Sequence, residues 1–206
     1  MSSNTSAIPA GYSDIPAGHI VSVVTCLEMR QKPEITPRAL PEGFTLERYR
    51  GGSLDQYRAL FRKVGADWLW FSRLLMSDEK LTAVLSKATL EIYVIRHEGN
   101  DVGLMELDFG VSDEAELVYL GLVSGTTGQG IGRAVMNAAT ELAWSKPIHR
   151  FWVHTCSFAH PSALSFYCRS GLVLYARQAE VKSDPPLSGA LPLPAPSPRP
   201  PSRPRS

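Results

Sequence analysis

The chain has 206 residues, of which 44% are hydrophobic and 20% charged, as in an ordinary globular protein with one sizeable core. Its formal net charge of +1 gives no indication of a nucleic-acid partner or of a membrane-surface partner. No stretch is apolar enough for a membrane span or a secretory signal, and three cysteines without CxxC spacing suit a cytoplasmic protein without a zinc site.

Hydrophobic periodicity predicts seven strands and several helices in chain order. The strands are residues 19–29, 44–49, 90–96, 102–109, 116–123, 150–155 and 172–181. Ser53 and Ser77 are good N-caps, and apolar residues recur at helical spacing after each of them. Two later helices are predicted over residues 131–144 and 161–170.

This order of elements predicts an α/β (α+β) fold. The strands before and after the long helix are natural parallel neighbours, whereas the three-strand run before it is expected to be antiparallel. We therefore expect a mixed, mostly antiparallel central sheet flanked by helices on both faces. The domain is expected to span residues 20–182, between a flexible lead-in of residues 1–19 and a disordered, Pro-rich tail of residues 183–206.

The clearest chemical signal is a glycine loop between a strand and the long helix. Gly128, Gly130 and Gly132 stand at alternate positions. Glycine permits positive φ and removes the Cβ that holds a backbone away from a ligand. Because the first amides of a helix have no partner and lie at the positive end of its dipole, the loop is suited to a pyrophosphate.

Two common nucleotide-binding loops do not fit these residues. A dinucleotide-binding loop needs an acidic residue on the following strand, and residues 150–155 contain none. A Walker loop needs Lys and then Ser or Thr after its last glycine, whereas Gly132 is followed by Arg133 and Ala134.

Over residues 44–181 the sequence resembles the GNAT superfamily of N-acetyltransferases. Residues 127–132 take the place of the family loop Arg/Gln-x-x-Gly-x-Gly/Ala, although Thr127 stands where Arg or Gln is usual and Ser124 where Pro is usual. Residues 160–172 resemble the family segment Asn-x-x-Ala-x-x-Leu/Phe-Tyr-x-Lys/Arg-x-Gly-Phe, with His160 in place of Asn. The Trp-Leu-Trp-Phe and Val-His-Thr-Cys segments are similar to a bacterial subgroup of unassigned substrate.

The resemblance implies binding of acetyl-coenzyme A as acyl donor and of an amine as acceptor, in a cytoplasmic protein that forms homodimers in many relatives. It implies main-chain contacts to the donor from Gly121, Leu122 and Val123, and a further contact at His160. The residues implied to hold the pyrophosphate are Thr127, Gly128, Gln129, Gly130, Ile131, Gly132 and Arg133.

The resemblance also implies two catalytic residues. Tyr167 is expected to donate a proton to the departing thiolate, and Glu116 to serve as general base, since an alkyl amine is mostly protonated near pH 7. Glu106 and Asp108 are alternative bases, and His154 is an alternative base or acceptor-site residue.

Two questions stay open from the sequence. Trp68, Trp70 and Phe71 either line the acceptor pocket or belong to the core. The function is either that of an N-acetyltransferase or that of a non-catalytic acyl-CoA sensor on the same fold. The amine itself is not identified by any motif.

Overall fold

The computed structural model describes residues 8, 10–36, 38–126 and 130–184. Every predicted strand is present, with ends that differ from the prediction by at most two residues. The strands are β1 (His19–Met29), β2 (Phe44–Arg48), β3 (Leu90–His97), β4 (Asn100–Asp108), β5 (Glu114–Leu122), β6 (Arg150–Cys156) and β7 (Val173–Ser183). The helices are α1 (Leu54–Gly65), α2 (Asp78–Leu85), α3 (Ile131–Trp144) and α4 (Ala163–Arg169), with a short 3-10 helix, Ala66–Trp68, after α1.

The strands form one seven-stranded sheet in the order β2-β3-β4-β5-β6-β1-β7. The β5–β6 pair is parallel, and the other pairs are antiparallel. The prediction of a mixed, mostly antiparallel sheet is therefore confirmed, including the parallel pair that flanks the long helix.

Alternate residues of β3 show how the two faces of the sheet are covered. Ile92 and Val94 pack in one hydrophobic cluster with α1 and α2, whereas Tyr93 and Ile95 pack in another with α3 and α4. Successive strand residues point to opposite faces, so the helices lie on both faces as predicted.

The sequence predicted β1 as a strand but not its place in the sheet. β1 lies between β6 and β7, antiparallel to both. The chain then runs from β1 across α3 to β2 at the opposite edge of the sheet. On the way, Asn137 of α3 donates a hydrogen bond from its side-chain amide to the carbonyl of Thr36, at 3.0 Å.

The two ends of the predicted domain differ slightly from the structure. β1 begins at His19, and β7 extends to Ser183, one residue past the predicted boundary. The N–H of Asp184 then donates to the carbonyl of Gly18, at 2.9 Å. The predicted tail otherwise falls on residues 185–206, which lie outside the described residues, as do most of residues 1–9. Within the described ranges, no helix combines the length and the apolarity needed to cross a bilayer.

Candidate functional site

A cavity opens where the parallel strands β5 and β6 diverge. Their pairing ends at Leu117 and Val153, although both strands continue. Relative to β4, β5 carries one extra residue, Val118, and a bulge of this kind bends a strand. The space between the strands has a volume of about 730 Å³.

The cavity has two chemically different ends. Gly132 of α3 lines the cavity at one end, and we call the start of α3, residues 130–133, together with the adjoining Arg38, the glycine end. We call residues 68–72, together with Tyr119, Glu180 and Lys182, the aromatic end. Residues of β6 and α4 line the cavity between them.

At the glycine end, α3 begins with a set of main-chain N–H groups that the helix does not use. Gly130 is its N-cap and has φ of +82°, in the left-handed region that favours glycine. The first N–H bonded within the helix is that of Ala134, which donates to the carbonyl of Gly130 at 3.1 Å. The N–H groups of Ile131, Gly132 and Arg133 therefore stand at the positive end of the helix dipole and suit an anion.

The side chains around this cradle have other roles. Ile131 is buried in the core on the α3 face. The Arg133 guanidinium donates to Ser170 Oγ at 3.0 Å and lies 5.9 Å from the centre of the Phe166 ring. These two side chains hold α3 in place, so only their backbone belongs to the cradle. The predicted loop residues 127–129 lie outside the described residues.

Arg38 is a cradle residue that the sequence did not indicate. A Cβ atom at Gly130 would overlap the Arg38 guanidinium, so this cation lies directly against the start of α3. Arg38 reaches this place because the segment between β1 and β2 crosses α3, where Asn137 holds Thr36. A guanidinium beside the amides at the start of a helix is a donor set that suits phosphate.

The main chain at the end of β5 is only partly free. The N–H of Val123 donates to the carbonyl of Val102 at 2.8 Å, so this amide is already engaged with β4. Hydrogen bonds alternate along an antiparallel ladder, so Gly121 is directed to β4 as well and Leu122 towards the gap. A Cβ at Gly121 would lie 2.5 Å from Val64 and 2.9 Å from Trp70, which means that packing of these side chains requires the glycine.

Tyr167 of α4 lines the middle of the cavity and is only 8% exposed. Burial raises the pKa of its phenol to about 12, because the phenolate is disfavoured away from water. The hydroxyl therefore keeps its proton throughout the physiological range and is available as a proton donor.

Glu116 does not line the cavity itself but pairs with a residue that does. Glu116 Oε1 lies 3.4 Å from Nδ1 of His154, and the His154 ring faces the cavity from β6. His154 is the next residue after the last β5–β6 pair, so it stands where the two strands separate. The two predicted base candidates are thus paired with each other. The His154 imidazole lines the cavity, and the Glu116 carboxylate lies behind it, outside the lining.

The two other candidate bases are occupied elsewhere. Glu106 is fully buried, pairs with Arg73 at 2.8 Å and accepts a hydrogen bond from the Tyr57 hydroxyl. Asp108 accepts a hydrogen bond from the N–H of Gly110 at 2.9 Å. Neither belongs to the cavity wall, as far as the described residues form it. Among these residues there is also no cluster of His, Cys, Asp and Glu suited to a metal ion.

His160 lines the cavity and organises the turn before α4. Its Nδ1 accepts the N–H of Ser162 at 3.1 Å, which puts the proton of the neutral ring on Nε2. Its ring meets that of Trp68 edge to face, with ring centres 4.9 Å apart. Asp67, the residue before Trp68, accepts a hydrogen bond from Ser124 Oγ at 2.6 Å. These contacts connect the aromatic end to both loops beside the gap.

The aromatic residues at 68–71 serve both of the roles that the sequence left open. Trp68, Trp70 and Phe71 all line the cavity. Trp70 also packs against core rings, with its centre 4.8 Å from that of Tyr119 and 5.5 Å from that of Phe61. Two residues after Phe71, Arg73 anchors this segment to the sheet through its ion pair with Glu106.

The sequence pattern of the Acetyltransferase (GNAT) family matches residues 57–172, which is more than half of the chain. None of the curated proteins that were compared matches the sequence.

Several solved structures share the fold at low sequence identity. A GCN5-related N-acetyltransferase from Sphaerobacter thermophilus is 13% identical, with a TM-score of 0.60 over 81% of this chain and 53% of that one. One from Kribbella flavida is 19% identical, with a TM-score of 0.53 over 82% of this chain and 60% of that one. An aminoglycoside acetyltransferase from a soil metagenomic sample is 19% identical, with a TM-score of 0.53 over 63% of this chain and 88% of that one. The chain thus spans 53% and 60% of the length of the first two structures.

Proposed function

Because the chain belongs to the GNAT acetyltransferase family, we propose that it transfers an acetyl group from acetyl-CoA to a primary amine by direct attack. The observation that carries this proposal is that a single cavity joins an anion cradle, a proton donor and a His–Glu pair. The cradle suits the donor, and the other two groups suit the proton transfers that the reaction requires. A C–N bond forms and the C–S bond of the thioester breaks, while one proton leaves the amine and another reaches the thiolate.

Acetyl-CoA enters this proposal at the glycine end. The first three main-chain amides of α3, residues 131–133, and the guanidinium of Arg38 suit its pyrophosphate. Arg38 supplies from a distant segment the cation that the family loop usually carries where this chain has Thr127. The main chain of Leu122, directed into the gap, suits the amide groups of the pantetheine arm.

The proton steps fall to residues in the middle of the cavity. We assign removal of the amine proton to His154, with Glu116 stabilising the imidazolium that forms. Tyr167 donates its proton to the departing thiolate, which has a reference pKa of about 8.5 for a cysteine-like thiol. Because the pKa of Tyr167 is higher, at about 12, transfer to a free thiolate is uphill. The proton therefore moves in concert with breaking of the C–S bond, and Tyr167 regains a proton from solvent, to which the amine proton is released.

A paired measurement on the purified chain tests the proposed function. We expect calorimetry to detect binding of acetyl-CoA but not of ATP or NAD. Free thiol is then expected to appear with some members of a panel of primary amines that includes an aminoglycoside. Failure of acetyl-CoA to bind would overturn the proposal. Binding without turnover on any amine would favour the alternative function, a non-catalytic acyl-CoA sensor.

A further inference from the structure

The charged groups at the aromatic end of the cavity are already paired with one another, and this restricts which amines the aromatic end can bind. Lys182 Nζ lies 2.7 Å from Glu180 Oε2, and the same oxygen accepts a hydrogen bond from Ser22 at 3.2 Å. Both side chains lie on β7 and line the cavity. Their charges cancel, so this part of the wall offers no net attraction to a cation.

The position of the lysine makes the aromatic end unfavourable for a second cationic group. Lys182 Nζ lies 5.3 Å from the centre of the Phe71 ring, above the apolar wall. Among the Asp, Glu, Lys, Arg and His residues in the described part of the wall, the others are His154, whose partner is Glu116 and which we assign to the proton step, and His160, which holds the turn before α4. Within the described part of the wall, no carboxylate other than Glu180 faces the cavity.

The rest of this end is built from rings. Trp68, Trp70 and Phe71 come from four consecutive residues, and Tyr119 of β5 faces them. Flat aromatic walls with few polar groups recognise apolar bodies by area buried and by ring–ring contact. A polyamine or an aminoglycoside would lose water from several ammonium groups here without gaining matching carboxylates.

We infer that the acceptor is a primary amine carried on an aromatic or otherwise apolar body without a second cationic group. This inference rests on the proposed function, since it concerns the acceptor side of the same cavity. Arylalkylamines are the simplest members of this class.

The test compares phenethylamine, ethylamine and spermidine with saturating acetyl-CoA, by thiol release and by calorimetric binding to the CoA-loaded protein. We expect kcat/KM for phenethylamine to exceed that for ethylamine at least tenfold, and spermidine to do no better than ethylamine. Phe71→Ala is expected to reduce the preference for phenethylamine over ethylamine several-fold, with folding checked by circular dichroism.

A charge reversal provides a gain-of-function control. Lys182→Glu would place a second carboxylate beside Glu180, so the ratio of kcat/KM for spermidine to that for phenethylamine is expected to rise about tenfold. Lys87→Glu makes the same change in net charge at an exposed site near the end of α2, away from the cavity, and is expected to leave the ratio unchanged.

The possible failures can be distinguished. If acetyl-CoA binds and spermidine is used as well as phenethylamine, the inference is overturned. It is also overturned if acetyl-CoA binds but phenethylamine is neither bound nor acetylated. If acetyl-CoA does not bind, the proposed function fails instead. In that case, changes in the tryptophan fluorescence of the ligand-free protein on adding phenethylamine or spermidine show which of the two amines the cavity binds better.

Discussion

The glycine end and the aromatic end of the cavity are built from different parts of the chain: one mainly from the backbone of a single segment, the other from side chains of several segments. The glycine end consists mainly of the backbone of four consecutive residues, 130–133, with Arg38 added from elsewhere. The aromatic end combines side chains of residues 68–72 with Tyr119 on β5 and with Glu180 and Lys182 on β7. A cradle of amides suits any phosphate, whereas side chains from distant segments define one shape and one charge pattern. If the proposed function is correct, donor recognition rests mainly on one local stretch of backbone, and acceptor recognition rests on side chains from several segments of the sheet.

The largest effect is expected at the residue between the two ends. Tyr167→Phe keeps the ring and its packing but removes the proton donor. General acid catalysis is worth about 10²- to 10⁴-fold, so kcat is expected to fall in that range while acetyl-CoA affinity and amine binding change little. Single-turnover and steady-state kinetics measure the effect. An unchanged kcat across the pH profile would show that Tyr167 is a core residue only.

The anchor of the aromatic end provides the next largest effect. Arg73→Met leaves the buried Glu106 carboxylate without its cation, and removing one partner of a buried pair costs about 3–5 kcal/mol of folding free energy. Urea titration is the measurement, and the amine KM is expected to rise while the Kd for acetyl-CoA stays close to wild type.

Two controls sharpen that result. The double variant Arg73→Met/Glu106→Gln removes the stranded charge and is expected to recover part of the loss. Arg58→Met breaks a pair with the largely exposed Asp78 and a hydrogen bond to the carbonyl of Met76, and its cost is expected to be about 1–2 kcal/mol. An equal loss for Arg58→Met and Arg73→Met would argue against a special role for the buried anchor.

A smaller effect is expected at the glycine end. Arg38→Gln removes the cation beside α3 but keeps its backbone amides, so the Kd for acetyl-CoA is expected to rise about tenfold, the scale of one charged hydrogen bond. Arg62→Gln changes an exposed arginine of α1 away from the cavity and serves as the matched control. Isothermal calorimetry compares the two. If Arg38→Gln weakened amine binding and left acetyl-CoA binding unchanged, the assignment of acetyl-CoA to the glycine end would be contradicted.

The smallest effect concerns stability at high pH. Burial raises the pKa of Tyr167 to about 12, above the reference value of about 10 in an unfolded chain. Between these values the unfolded chain loses a proton that the folded chain keeps, so stability falls as pH rises. By linkage the wild type loses about 1 kcal/mol near pH 11 through this group, and Tyr167→Phe does not. Urea titrations at pH 9 and pH 11 are expected to show that the variant has the shallower decline.

Local patterns in the sequence predicted what depends on neighbouring residues. The Ser53 cap is present, with its hydroxyl accepting the N–H of Gln56 at 3.2 Å, and α3 begins at Ile131, as predicted. These features follow from residues within one or two turns of each other. The fold class followed as well, because alternation and helical spacing fix which faces are buried.

Features that depend on long-range pairing were not predictable in this way. Arg38 belongs to the cradle only because β1 lies between β6 and β7, and no local pattern specifies that position. The pairing of Glu116 with His154 likewise depends on the register of two parallel strands that are separated by α3. Strand register is set by the assembled sheet, so a single segment does not reveal it.

The position of β1 also has a consequence for how the protein is made. β1 is translated before the other six strands, yet its two partner strands come from the last third of the described chain, with Ser22 and Glu180 in contact across 158 positions. Contacts of such high sequence separation are slow to form. On the ribosome, the apolar β1 must remain unpaired until nearly all of the domain has emerged from the exit tunnel. The part of the sheet formed by β6, β1 and β7 can therefore close only after these late strands are made. Until then the unpaired β1 is the segment for which binding by a chaperone would prevent the most aggregation.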